Sequence, residues 1–211
     1  VGGYGRGQLF PYSDIDLLVL VPEGKRGVDA MDNAIKSRLE HWVRLLWDLG
    51  LEVGHSVRTL AECIEEARKD ITVQTILLEA RKLAGHHQLF GEFLHAMQAA
   101  LDPRSFFIAK QLEQQQRHGR YHDAAYNLEP NLKESPGGLR DLQNILWVSR
   151  AAGLGKSWSE LAKGGFITQK EARLAQRHQT ILQNLRIRLH HLAGRREDRL
   201  LFDYQTSLAE E

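Results

Sequence analysis

VGGYGRGQLFPYSDIDLLVLV, residues 1–21, decides the reading of this chain, because it sets two aspartates one residue apart at the mouth of a strongly apolar strand. Successive side chains of a strand alternate between faces, so Asp14 and Asp16 share one, roughly 6.6 Å apart along the backbone at about 3.3 Å per residue. Two carboxylates so placed repel one another. Leu17, Leu18, Val19, Leu20 and Val21 worsen the repulsion, since an unpaired charge loses its hydration in apolar surroundings. The stretch calls for something positive from outside the strand.

A divalent metal supplies that charge most simply. Magnesium takes oxygen ligands at about 2.0–2.1 Å and shares its shell with water and substrate phosphates, so a same-face aspartate pair leaves room for a nucleotide. Two such ions about 3.5–4 Å apart can hold both the attacking and the leaving oxygen of a phosphoryl displacement. The bland alternative is a solvated pair at a strand edge, or a cap for the following turn. Against it stands the context. Val1-Gly2-Gly3 is separated from Asp14 by ten residues, with Arg6 between and Ser13 directly before the pair. Glycines let backbone N–H groups approach phosphate oxygens closely, and Arg6 and Ser13 are further candidates for that contact.

Downstream, Pro22-Glu23-Gly24 ends the extended run and a helix is expected from about Asp29 to Leu49. Met31, Ile35, Leu39, Trp42, Val43, Leu46 and Leu49 recur at its spacing, and Gly50 suits the terminating left-handed position. LEVGHSVR, residues 51–58, then reads as a second strand with Glu52, Gly54 and Ser56 on one face. Helices follow. Thr59 with Glu62 forms a capping box, Asp70 caps a helix to about Ala84, and another spans Gln88 to Leu101, ended by Asp102-Pro103. Ser105 is expected to cap a helix to about Tyr121. A loop, YNLEPNLKESPGG, precedes a helix carrying Leu139, Leu142, Ile145 and Leu146, and Thr168 with Glu171 opens a long helix closed by Gly194.

The hydrophobe-Gly-Gly and D-h-D-h spacing resembles the signature of the DNA polymerase beta-like nucleotidyltransferase superfamily, in which a later strand supplies a third carboxylate. Glu52 is the candidate for it, as metal ligand or as base toward the attacking hydroxyl. At finer grain, GGYGRGQLFPYSDIDLLVL, LEVGHSVRTLAEC, QQQRHGRYHDAAYNLEPNLKESPGGLRDLQ and DRLLFD resemble the catalytic part of the bifunctional PII uridylyltransferase/uridylyl-removing enzyme family. That resemblance implies magnesium-dependent uridylyl transfer from UTP to a tyrosine hydroxyl of the PII nitrogen-signalling protein, in the cytoplasm. The implied fold is α+β: a small mixed-sheet core over 1–102, lacking an apolar strand before Gly2, then an all-helical domain over 103–211 that binds substrate or nucleotide. Asp14, Asp16 and Glu52 are the expected catalytic and metal residues. Gly2, Gly3, Arg6, Ser13, Gly137, Gly138 and Arg140 are the expected phosphate contacts, the last three at a helix start whose N–H groups could face an anion near Lys133. The alternative for that start is an ordinary one, with Asp141 in its favoured first turn. Related transferases with another acceptor, or a module that binds nucleotide without turnover, remain open at this level.

Other features exclude more than they assign. With 211 residues and a formal net charge of +1, no global field points to nucleic acid or an anionic membrane. The lone Cys63 reads as a small packed hydrophobe, and no apolar run approaches a membrane span. His122-Asp123 looks like half of an HD metal motif, but lacks helical partners at suitable spacing. His190-His191, within a basic run, reads as a solvated helix end, and the four tryptophans as core or interface fillers.

Overall fold

The computed structural model describes residues 1–23, 32–121 and 127–210. Met31 and the His122-Asp123 dipeptide lie outside them. The described residues fall into two compact units: Val1–Leu9 with Ser13–Leu101, and Phe10–Tyr12 with Asp102–Glu211.

Unit 1 begins with a single helical turn, α1 (Gly2–Gly5), followed by β1 (Ile15–Leu20), α2 (Asn33–Asp48) and β2 (Val53–Arg58). The two strands pair in parallel, Ile15 opposite Val53 through Leu20 opposite Arg58, where the resemblance implies a mixed sheet. The alternation holds. Leu18 and Leu20, on the face of β1 that Asp16 begins, pack against a core of Cys63, Ala67, Leu77, Phe93 and Met97. That core is built by α3 (Leu60–Lys69), α4 (Ile71–Leu78) and α5 (His87–Ala100). Cys63 and Phe93 are fully buried, and burial pushes the Cys63 thiol up to about 11, so it is a packed hydrophobe. Thr59 closes its capping box with Glu62, and Asp70 caps α4 through Thr72 N–H. Gly50, at φ +77°, turns the chain out of α2.

Two expectations fail here. The helix begun at Ile71 ends at Leu78 rather than near Ala84, because Glu79 turns inward to a partner at the other end of the unit. On α2 only Val43 is buried, while Ile35, Trp42 and Leu49 are exposed despite their apolar spacing. Periodicity reports which residues could be covered and not what covers them. Along β1, an apolar cavity of about 430 Å³ is lined by Leu17, Val19, Leu39, Trp42, Leu89 and Phe90 among others.

Unit 2 is helical: α6 (Pro103–Arg120), α7 (Leu139–Ala151), α8 (Trp158–Lys163), α9 (Gln169–Ala193) and α10 (Phe202–Glu210), with one antiparallel bridge between Asn131 and Arg199. Asp102, not Ser105, caps α6. Its carboxylate accepts from Ser105 N–H, while Pro103 occupies the first helical position, where a missing N–H costs nothing. The Thr168–Glu171 box opens α9 and Gly194, at φ +63°, closes it as expected. Trp147 and Trp158 are buried, whereas Trp42 and Trp47 are not.

His190 is no part of a solvated helix end. It is fully buried, its Nδ1 lies 2.6 Å from the Pro11 carbonyl oxygen, and its Nε2 lies 3.1 Å from Asp198. A carbonyl and a carboxylate both only accept, so each ring nitrogen is placed to donate. Arg186 pairs with the same Asp198 at 2.5 Å and sits 4.2 Å from the Phe10 ring centroid. These contacts are why Phe10–Tyr12, flanked in sequence by unit 1, groups with unit 2.

Gly138 precedes α7 where a Cβ would stand 2.9–3.0 Å from the carbonyl oxygens of Lys133, Ser135 and Leu132. Those are backbone atoms and cannot yield cheaply. Gly138→Ala is expected to cost about 1–3 kcal/mol, read as a fall in the urea midpoint; an unchanged midpoint would show that the loop relaxes freely.

Candidate active site

The site is built around Asp16. Its register partner on β2 is Gly54, and a Cβ there would lie 3.3 Å from the Asp16 Oδ1. On the other side stands the buried Gly2, at φ +57°, where a Cβ would come within 2.9 Å of Oδ2. Both carboxylate oxygens therefore face a glycine α-carbon, and each glycine is explained by that proximity. Asp14, exposed, precedes β1 on the same alternation. The Asp16 carboxyl is held above its ordinary range, first by burial and then by the charge of Asp14. The repulsion expected from the sequence is thus present in the fold.

Two acidic oxygen donors of this kind, close enough that the charge of one opposes ionisation of Asp16, fit a hard divalent cation that completes its shell with water and phosphate. Glu52, the third carboxylate expected from the sequence, is not gathered with them into a cluster of three. Among the described residues no group of three His, Cys, Asp or Glu side chains is gathered closely enough to hold an ion. Glu52 stands exposed one residue before β2, and its backbone carbonyl is what binds, accepting the Ile15 N–H at 2.7 Å. Ser13 is half-buried immediately before Asp14, after Tyr12, a non-glycine residue at φ +58°. That left-handed conformation is strained for a tyrosine, and such strain clusters at functional turns.

Arg6, expected at phosphate, is engaged with side chains of the protein. Its Nη1 is paired with the buried carboxylate of Glu79, and its Nε donates to Gln8 Oε1 at 3.2 Å. Sequence reasoning missed Glu79 altogether. Its only signal is an acid set within the otherwise apolar run Ile76-Leu77-Leu78-Glu79-Ala80, matched by a cation in a glycine loop far upstream.

The start of α7 is also corrected. Gly137 N–H donates to Asp141 Oδ2 at 2.7 Å, Gly138 N–H to Ser135 O at 2.8 Å, Leu139 N–H to Leu132 O at 3.0 Å and Arg140 N–H to Lys133 O at 2.8 Å. The N–H groups offered to an anion at Gly137 and Gly138 are already used, and Asp141 is the anion. Burial alone would raise the Asp141 carboxyl, but hydrogen bonds from Arg117, Gly137 N–H and His118 outweigh it and hold the group low. The Arg140 guanidinium lies 3.1 Å from Glu134, 3.2 Å from Gln143, and over the Trp147 ring. No described helix is long and apolar enough to cross a membrane.

Comparison with known proteins finds two family models. Residues 105–211 match the GlnD PII-uridylyltransferase family model, and residues 1–78 match the nucleotidyltransferase domain model. The chain is 71% identical over its whole length to a bifunctional uridylyltransferase/uridylyl-removing enzyme of Nitrosospira multiformis. It is 58% identical over 210 residues to the protein of that name from Burkholderia orbicola, and 59% over 210 residues to that from Bordetella avium. In the first two the match covers 24% of the relative, so the chain spans about a quarter of the length of the curated relatives it matches. No solved structure matches it.

Because the folded Asp16 carboxyl is raised, the cost of ionising it in the fold builds as pH climbs from the ordinary carboxyl value to the raised one and is fully present above that. Below the ordinary value both states hold the proton and the cost is gone. Asp16→Asn is therefore expected to melt a few degrees above the wild type at pH 7 in chelator, an advantage that shrinks toward nothing as pH falls below the ordinary carboxyl value. A variant less stable at pH 7 would contradict this account of the carboxylate.

Proposed function

The chain belongs to the PII-uridylyltransferase family, and from that premise we propose that it transfers a uridylyl group from UTP to a tyrosine hydroxyl of a PII signalling protein, releasing pyrophosphate. The observation that carries the reading is Asp16. It is a carboxylate kept proton-hungry by burial and by Asp14, between two glycines that leave its oxygens accessible, inside a matched nucleotidyltransferase domain.

Asp14 and Asp16 would hold magnesium, two ions in the arrangement that the superfamily resemblance implies. The metal would polarise the α-phosphate and stabilise charge on the departing pyrophosphate. Gly2 and Gly3 would admit triphosphate oxygens close to the backbone, and the Ser13 hydroxyl would donate to one of them. The acceptor phenol has a reference pKa near 10, so at neutral pH its oxygen needs a base at hydrogen-bond reach. Glu52, solvated and adjacent to β2, is the candidate that remains for that role. The phenol oxygen forms the new bond to the α-phosphorus while the bond to the β-phosphate bridge breaks, and the phenol proton passes to the base.

The test uses the full-length protein with UTP, magnesium and PII protein, with the acceptor followed by mass and peptide mapping. Asp14→Asn, Asp16→Asn and the double variant are expected to lose transfer by about a thousandfold or more while remaining folded, since metal binding and positioning supply most of such a rate enhancement. Transfer retained in the folded double variant would refute the reading, as would label found on a residue other than tyrosine.

A further inference from the structure

The glycine loop that meets Asp16 is fastened at both sides to one short segment that follows α4. On one side the Arg6 guanidinium pairs with Glu79, whose side chain is 3% exposed. On the other, Arg81 Nη2 donates to the Tyr4 carbonyl at 2.9 Å and lies 5.2 Å from the Tyr4 ring centroid. Between them Gly5 is pressed so closely on the Glu79 carbonyl oxygen that a Cβ would overlap it. The loop is itself braced: Gly5 N–H donates to Val1 O, Arg6 N–H to Gly2 O, Gly7 N–H to Tyr4 O and Gln8 N–H to Gly3 O, all at 2.9–3.1 Å. A loop so braced moves as one piece, and its far end is Gly2, against the Asp16 carboxylate.

We propose that Glu79 and Arg81 are positioning residues that set the glycine loop against Asp16, and that Arg6 serves the reaction through its pairing with Glu79 rather than as a contact to phosphate. The argument rests on the transferase reading above. Arg6 carries the only long side chain in the Gly2–Gly7 stretch able to reach a buried carboxylate, and a half-buried guanidinium paired with a nine-tenths buried acid is held in place by the need of each to keep its partner. The clamp sits on the side of Asp16 that Gly2 occupies. A shift of the loop would therefore alter both the space beside the carboxylate oxygens and the backbone that a triphosphate would approach.

The two roles for Arg6 predict different outcomes in a double-mutant cycle. In the full-length protein, Arg6→Gln and Glu79→Gln are each expected to lower kcat about tenfold and to raise KM for UTP, leaving KM for PII protein unchanged. The Arg6→Gln/Glu79→Gln double variant replaces the ion pair by two neutral amides that can hydrogen-bond, and is expected to return within about threefold of wild-type kcat. Arg81→Gln, at an exposed position, tests the other side of the clamp without a buried charge to strand and is expected to lower kcat severalfold with an unchanged melting temperature. A double variant no more active than Arg6→Gln alone would overturn the proposal in favour of a direct phosphate contact. Singles that lose melting temperature but keep both kcat and KM for UTP would overturn it in favour of a purely structural pair. Absence of transfer by the wild type would instead strike the transferase reading, so the two failures are distinguishable.

Discussion

Everything in the first unit is arranged around a carboxylate that has no room to spare. Asp16 is confined between the α-carbons of Gly2 and Gly54, and neither position admits so much as a methyl group without pressing on an oxygen. This constraint fixes the register of the parallel pair. A slip by one residue would bring Val53 or His55 opposite Asp16 and reverse every face of the strand. It also explains why an apolar strand is tolerated behind an acidic mouth. Leu18 and Leu20 are partly buried on the same face against the core that holds Phe93 and Cys63, and each contributes part of the about 1.5–3 kcal/mol that full burial of such a side chain supplies. The core thus offsets a site whose own charges oppose folding.

How much of this is legible in the sequence depends on the distance between partners along the chain. Capping boxes at Thr59 and Thr168, the Asp70 cap and the left-handed glycines at 50 and 194 need only a neighbour within four residues, and they appear in the fold as the sequence reads. The Asp16–Gly54 face is legible too, because strand alternation is a local rule. Several contacts that the sequence does not show involve remote partners. The Arg6 cation is visible, whereas the carboxylate it pairs with, Glu79, 73 residues away, is not. His190 reads as solvated because its carbonyl acceptor lies 179 residues upstream at Pro11. The apolar stripe on α2 reads as core because periodicity carries no information about what will lie over it.

The helix start at Gly137-Gly138 fails in a more instructive way. An exposed helix N-terminus attracts anions because its first N–H groups lack intrahelical partners. Here the chain returns four of its own acceptors to that end, three carbonyls from the 132–135 turn and the Asp141 carboxylate. The glycines are needed for that closure. Gly138 lets three carbonyl oxygens approach its α-carbon, and Gly137 takes φ +79° to aim its N–H at Asp141. The same residues that suggest a phosphate loop are accounted for by packing.

The acids of unit 2 stand in a different electrostatic setting from Asp16. In unit 2, Glu134 is held below its ordinary range because attraction to Arg140 and Lys133 outweighs its burial, and Asp198 because Arg186 and His190 do the same. Asp141 follows the same rule. Each is a buried acid whose counter-charge is already within hydrogen-bond distance, which is the condition under which such groups persist in structural roles. Asp16 is also partly buried, yet it is shifted the other way, with another carboxylate as its neighbour in charge. Asp16, with Asp14 as its neighbour in charge and glycine α-carbons beside both of its oxygens, thus differs from the acids of unit 2, and that difference is what supports the proposal that the chemistry belongs at β1.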